Sequence, residues 1–122
     1  MVLAVVDDLM FSSKIRAVAE GTGAVVKFAR SKEAALAEAR AGAPALVIID
    51  LDREGTDPIG TIAAFKNDVA LRTIRLVGFV RHTHAARIAE AREAGCDTVL
   101  ARSAFVETLA ELLTGGTEPP PS

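Results

Sequence analysis

Five short aliphatic runs, each followed by a stretch with helical spacing, limit what this chain can fold into more than any other feature. The runs are Val2–Val6, Ala24–Phe28, Leu46–Ile49, Arg75–Val80 and Thr98–Ala101. Branched aliphatic residues dominate them, as in strands covered on both faces of a parallel sheet. A strand–helix alternation repeated five times requires right-handed crossovers and helices on both sheet faces. The expected architecture is α/β, a doubly wound (βα)5 sandwich with a five-stranded parallel sheet in the order 2-1-3-4-5.

The helical stretches carry their own start and stop signals. Ser12 is expected to cap the first helix, whose inward face would hold Ile15, Val18 and Ala19. Ser31 is expected to cap an Ala-rich second helix that Gly42 and Pro44 end. Asp57-Pro58 opens the third, because Asp accepts free backbone N–H groups and Pro suits the first helical turn. That helix would bury Ile59, Ile62 and Phe65. The fourth runs from about His84 to Ala94 and stops at Gly95. Ser103 opens the fifth, which has Phe105, Leu109, Leu112 and Leu113 to pack. Residues 1–114 form the expected domain, and 115–122 read as a disordered tail, since Gly115-Gly116-Thr-Glu-Pro-Pro-Pro-Ser122 cannot build a core.

With 122 residues the chain suits one domain of this flavodoxin-like kind. Half of it is hydrophobic and a quarter charged, which is ordinary for a globular protein. Five Phe and no Trp or Tyr leave little to stack on bases. The 14 basic residues are dispersed and the net charge is −2, so no basic stripe for phosphates is present and no nucleic-acid partner is expected. The longest apolar run, Ala45–Ile49, is far short of the roughly 20 residues that span a bilayer. The start Met1–Val6 is too short for a signal peptide and has no basic leader. The lone Cys96 cannot pair within the chain and has no partner base, so it reads as a packing residue. These features make the cytoplasm the expected compartment, with no membrane contact.

The chemistry concentrates in acids. In open α/β sheets ligands bind beyond the carboxyl ends of the strands, where the strand order reverses. For the order 2-1-3-4-5 that point lies between strands 1 and 3. Asp7 and Asp8 follow strand 1 and Asp50 follows strand 3. Three carboxylates on one rim repel one another unless a cation or a proton intervenes. A hard divalent ion such as Mg2+ suits them, because it takes oxygen from one or two carboxylates, water and phosphate. Taken singly, each acid could be only a loop or helix-capping residue.

Here the sequence resembles the response-regulator receiver family (CheY-like) from Val2 to about Leu113. The resemblance is carried by Val5-Val-Asp7-Asp8, Leu46-Val-Ile-Ile-Asp50-Leu-Asp52, Asp57-Pro58, and Ala94-Gly95 before the fifth strand. It implies a receiver domain in two-component phosphorelay signalling. Asp50 would be the phosphoacceptor, attacking a phosphohistidine or a small acyl phosphate. Asp8 and Asp50 would bind Mg2+ directly, Asp7 would act mainly through water, and the Asp52 backbone carbonyl would add a ligand. The metal would offset charge so that an anionic nucleophile can meet an anionic donor. The implied partners are a sensor histidine kinase or phosphotransfer protein and a downstream protein, with a possible homodimer through helix 4, strand 5 and helix 5. No enzymatic turnover is implied beyond phosphorylation and dephosphorylation of Asp50 itself.

Two positions depart from the family pattern. The family's Ser or Thr at the end of strand 4 falls on Val80 or Arg81, with Thr83 the nearest hydroxyl. The Lys after strand 5, normally followed by Pro, is Arg102-Ser103, and a planar guanidinium is not equivalent to an ammonium. The aromatic usual on strand 5 is Val99. Segment 81–84, Arg-His-Thr-His, reads either as a solvated loop or as the source of an arginine, Arg81 or else Arg102, that ion-pairs with Asp50. His82 and His84 are not read as metal ligands. Three functions follow. The first is a phospho-receiver, expected to stand alone, that accepts phosphate on Asp50 and signals by protein contact. The second is an atypical receiver that binds partners without phosphorylation. The third is a flavodoxin-like cofactor binder, disfavoured because a nucleotide phosphate would meet carboxylates and no Gly-rich phosphate loop is present.

Overall fold

The structure is a computed structural model that describes residues 1–81 and 85–115. In chain order it contains β1 (Val2–Val5), α1 (Leu9–Thr22), β2 (Val26–Ala29), α2 (Lys32–Gly42), β3 (Leu46–Asp50), a 3-10 turn (Glu54–Thr56), α3 (Pro58–Asn67), β4 (Arg75–Val80), α4 (Ala85–Ala94), β5 (Thr98–Ala101) and α5 (Arg102–Leu113). All strand pairs are parallel, and the sheet order is β2-β1-β3-β4-β5, as the alternation predicts.

The period-2 geometry of each strand divides the core into two layers. From β1, Leu3 and Val5 face one side while Val2, Ala4 and Val6 face the other. The first layer is closed by Ala35 and Ala39 of α2, Ile62 and Phe65 of α3, and Ala91 of α4. The second is closed by Phe11, Ile15 and Ala19 of α1 and by Phe105, Leu109, Leu112 and Leu113 of α5. Each large side chain buried this way contributes roughly 1.5–3 kcal/mol. Phe11, Phe79 and Phe105 form an aromatic stack with centroid separations of 4.7, 5.7 and 4.6 Å.

Helix boundaries differ from the sequence expectation in instructive ways. Ser12 does not cap α1; Asp8 does, accepting hydrogen bonds from the Met10 and Phe11 N–H groups, and Ser12 lies buried in the first turn. The Ser12 N–H already donates to the Asp8 carbonyl at 2.8 Å, so the helix begins a turn earlier than a serine-based reading allows. Likewise α5 starts at Arg102 rather than after Ser103, with Ala101 at its cap and no side-chain hydrogen bond there. Ser31 and Asp57 cap as expected. β2 begins at Val26, two residues later than its apolar run suggests, because Gly23 closes α1 in the left-handed region at φ 78° and the Ala24 N–H still bonds back to Ala19. The start expected for α4 at His84, with His82 and Thr83, lies outside the described residues, as does the tail beyond Gly115. No helix among the described residues is long and apolar enough to cross a membrane.

Candidate functional site

The carboxyl ends of β1, β3, β4 and β5 form one rim. β1 delivers Asp7 and Asp8, and β3 ends on Asp50 with Asp52 two residues on. β4 delivers Arg81, while Arg102 follows β5 as the first residue of α5. The register fixes these positions: Asp50 pairs with Phe79, and the Leu51 N–H donates to the Phe79 carbonyl at 3.0 Å.

Asp50 is almost fully buried, at 3 % exposure. Its Oδ1 accepts from the Asp52 backbone N–H at 2.9 Å, the only hydrogen bond it makes among the described residues. Burial pushes its carboxyl above the ordinary aspartate value. The Asp52 N–H opposes that rise, the Asp52 charge adds to it, and the more distant Arg81 and Arg102 charges also oppose it.

Asp8 is the crowded member of the group. Its Oδ1 takes the two capping N–H groups at 2.9 and 3.3 Å. Its Oδ2 accepts from the Arg81 guanidinium at 3.0 Å and lies 3.8 Å from that of Arg102. Burial acts upward on this carboxyl, but the Phe11 and Met10 N–H groups and the Arg102 and Arg81 charges outweigh it and leave it below the ordinary value. Both arginines are held from a second side. The Arg81 backbone N–H donates to the Asp52 carboxylate at 2.6 Å, and the Arg102 guanidinium lies 4.1 Å from the centre of the Phe11 ring.

Of the two readings left open for segment 81–84, an ion pair from Arg81 or Arg102 to Asp50 is not formed: both arginines converge on Asp8. The physical reason is depth. Reaching Asp50 would strip a guanidinium of water beneath the rim, whereas Asp8 stays accessible enough for its partners to remain part-hydrated. Asp7 is likewise paired with an arginine, its Oδ1 accepting from Arg30 at 2.8 Å. Arg53 donates to the Asp7 backbone carbonyl at 3.0 Å. Four carboxylates, from residues 7, 8, 50 and 52, thus share the rim with four guanidiniums, from residues 30, 53, 81 and 102. Sequence reasoning missed Arg30 and Arg53. The signal was there, since Arg30 directly follows β2 and Arg53 lies three residues after Asp50 on the same rim.

The ligand set inferred for a divalent ion is not assembled. Among the described residues no three acidic, His or Cys side chains come together to hold a metal. Asp7, Asp8 and Asp50 share the rim, but Asp7 is engaged by Arg30, and Asp8 accepts three hydrogen bonds with a second guanidinium 3.8 Å from its Oδ2. In this arrangement the residues do not fit a bound Mg2+.

Of the two positions onto which the resemblance places the family's strand 4 hydroxyl, Arg81 pairs with Asp8 and Val80 is apolar, as is Val99 at the position of the strand 5 aromatic. Val80 ends β4 with its side chain in the core at 1 % exposure, and Val99 is a partly buried residue of β5. Cys96 is buried with its thiol pushed up to about 11 by desolvation, in keeping with a packing role.

No family model matches the sequence, and no curated protein matches it. Solved structures do. A putative response regulator from Chloroflexus aurantiacus is 22% identical, with a TM-score of 0.82 and 93% of each chain covered. The Mn2+-bound response regulator Rcp1 is 19% identical, with a TM-score of 0.77 and 97% of each chain covered. The phosphorylated cyanobacterial phytochrome response regulator RcpA is 21% identical, with a TM-score of 0.74, covering 93% of this chain and 88% of its own. The fold of this chain is that of the response-regulator receiver domains.

Proposed function

We propose that this protein is a receiver-fold signalling module that works through protein contacts and does not run a Mg2+-dependent aspartyl-phosphate cycle. The observation that carries this reading is the double arginine pairing of Asp8. The carboxylate that would hold the metal is already neutralised by Arg81 and Arg102. The apolar Val80 and Val99 support it, because a switch needs contacts that differ between its two states and neither residue can follow a phosphoryl group. The contact surface in this reading is the face of α4, β5 and α5, which exposes Ala89, Glu90, Arg92, Glu93, Glu107, Ala110 and Glu111 beside the sheet edge.

A second reading keeps Asp50 as phosphoacceptor, supplied by a histidine kinase or phosphotransfer protein. It is favoured by the placement of Asp50 at the end of β3 on the rim and by the fold shared with the phosphorylated RcpA and the Mn2+-bound Rcp1. Incubation with Mg2+ and acetyl phosphate, followed by intact-mass measurement, separates the two. The first reading expects no adduct. A phosphoryl adduct on the wild-type protein that is absent from Asp50→Asn overturns it and establishes the second.

A further inference from the structure

We infer that the Arg81–Asp8–Arg102 clasp takes the place of a divalent cation, so that the rim is charge-balanced without metal and the two guanidiniums are what keep metal out. The inference rests on the proposed reading and deepens it.

Three independent contacts build the clasp. The Asp52 carboxylate fixes the Arg81 backbone at 2.6 Å, which sets where its side chain starts. The Phe11 ring supports the Arg102 guanidinium from below, and that ring is part of the buried Phe11–Phe79–Phe105 stack. The Asp8 carboxylate is itself oriented by the Met10 and Phe11 N–H groups of α1. Both cations therefore arrive preorganised at one oxygen. A planar guanidinium makes charge-assisted hydrogen bonds to a carboxylate and cannot lose its proton. Mg2+ dehydrates reluctantly and needs near-octahedral oxygen ligation, so it would have to displace at least one such cation while gaining only one part-buried carboxylate, Asp8, and the buried Asp50. Two like charges would also approach each other during the exchange.

The test uses Mn2+ as the probe, read by paramagnetic broadening of backbone amide signals, together with thermal unfolding in Mg2+ and in chelator. The wild-type protein is expected to show no site-specific broadening at residues 7–10 or 50–53, and the same Tm in both buffers. Arg81→Gln combined with Arg102→Gln removes the two charges. This variant is expected to broaden at those residues with at least about tenfold tighter Mn2+ binding, and to gain Tm with Mg2+ because a ligand that binds only the folded state stabilises it. Adding Asp8→Asn to the pair should abolish both effects. Circular dichroism establishes that the variants fold, and Arg81→Gln alone, which leaves the Phe11 stack untouched, serves if the double variant does not.

Saturable Mn2+ broadening around Asp8 in the wild type overturns the inference. So does a folded Arg-free variant that remains silent to Mn2+. Failure of the proposed function looks different: a phosphoryl adduct on Asp50 in the acetyl phosphate and Mg2+ test, with the wild-type protein still silent to Mn2+, would sink that reading while leaving the clasp intact.

Discussion

The Arg81 guanidinium donates to the Asp8 carboxylate at 3.0 Å, joining the ends of β4 and β1 across 73 residues of sequence. The same carboxylate caps α1 through its other oxygen. One side chain therefore carries a local helix-starting duty and a long-range electrostatic one.

Replacing Asp8 separates these duties. Asp8→Ala loses the cap and leaves two guanidiniums facing each other, and should destabilise the fold by about 1–2 kcal/mol. Asp8→Asn keeps an oxygen for the capping N–H groups and should cost less than about 1 kcal/mol, since the pairing with Arg81 is partly exposed. Urea unfolding of both variants checks this; equal losses would mean that the cap contributes nothing.

Asp8 and Asp50 should respond to pH in opposite senses. The Asp50 value is raised in the fold, so its favourable contribution is present below the unfolded value and is lost as pH rises through the folded one. Asp50→Asn removes the burden of burying that charge while keeping an acceptor for the Asp52 N–H. It should stabilise the protein near neutral pH by on the order of 1 kcal/mol, and the gain should vanish as pH falls toward the ordinary Asp range near 4. The Asp8 value is lowered, so its contribution is present above the unfolded value and is lost as pH falls through the folded one. Tm profiles of wild type, Asp50→Asn and Asp8→Asn against pH test both signs. A gain from Asp50→Asn that persists in acid rules out buried charge as its cause.

Installing the hydroxyl usual for the family at the end of β4 should not restore a switch. Val80 lies in the core, so Val80→Thr places a hydroxyl among apolar neighbours at a cost of about 1–3 kcal/mol unless it finds an acceptor. Denaturant unfolding gives the cost. Treatment with acetyl phosphate and Mg2+ should still yield no adduct, and labelling of Val80→Thr at Asp50 would show that the missing hydroxyl alone had blocked the chemistry.

Cys96 should be inert in the native protein. Its thiol is pushed up to about 11 by burial, so thiolate is scarce at neutral pH and the reagent has no direct access. The sign follows the same rule: the neutral thiol is tolerated until pH rises through that value. A disulfide reagent should label Cys96 slowly under native conditions and promptly in urea, and equal rates would contradict the burial.

Much of the architecture was legible from local patterning. Period-2 strands such as Leu3/Val5 against Val2/Ala4, and the Asp57-Pro58 start of α3, need only short-range geometry to be read. The strand order followed because few right-handed, doubly wound topologies exist. Boundaries failed where two capping residues competed, as at Asp8 and Ser12, since the choice depends on where the strand ends and not on the residue type alone.

By itself the sequence determined the fold class, the two-faced core, and the gathering of Asp7, Asp8, Asp50 and Asp52 at one end of the sheet, because those follow from alternation and topology. Only the tertiary structure decided what neutralises them. Arg30, Arg53, Arg81 and Arg102 come from four separate segments, and which carboxylate each one reaches depends on burial and on side-chain support such as the Phe11 ring beneath Arg102. Charge pairing across strands is a property of three-dimensional distance and desolvation. That is why a cluster of acids in the sequence suggested a metal, while the folded chain answers it with arginines.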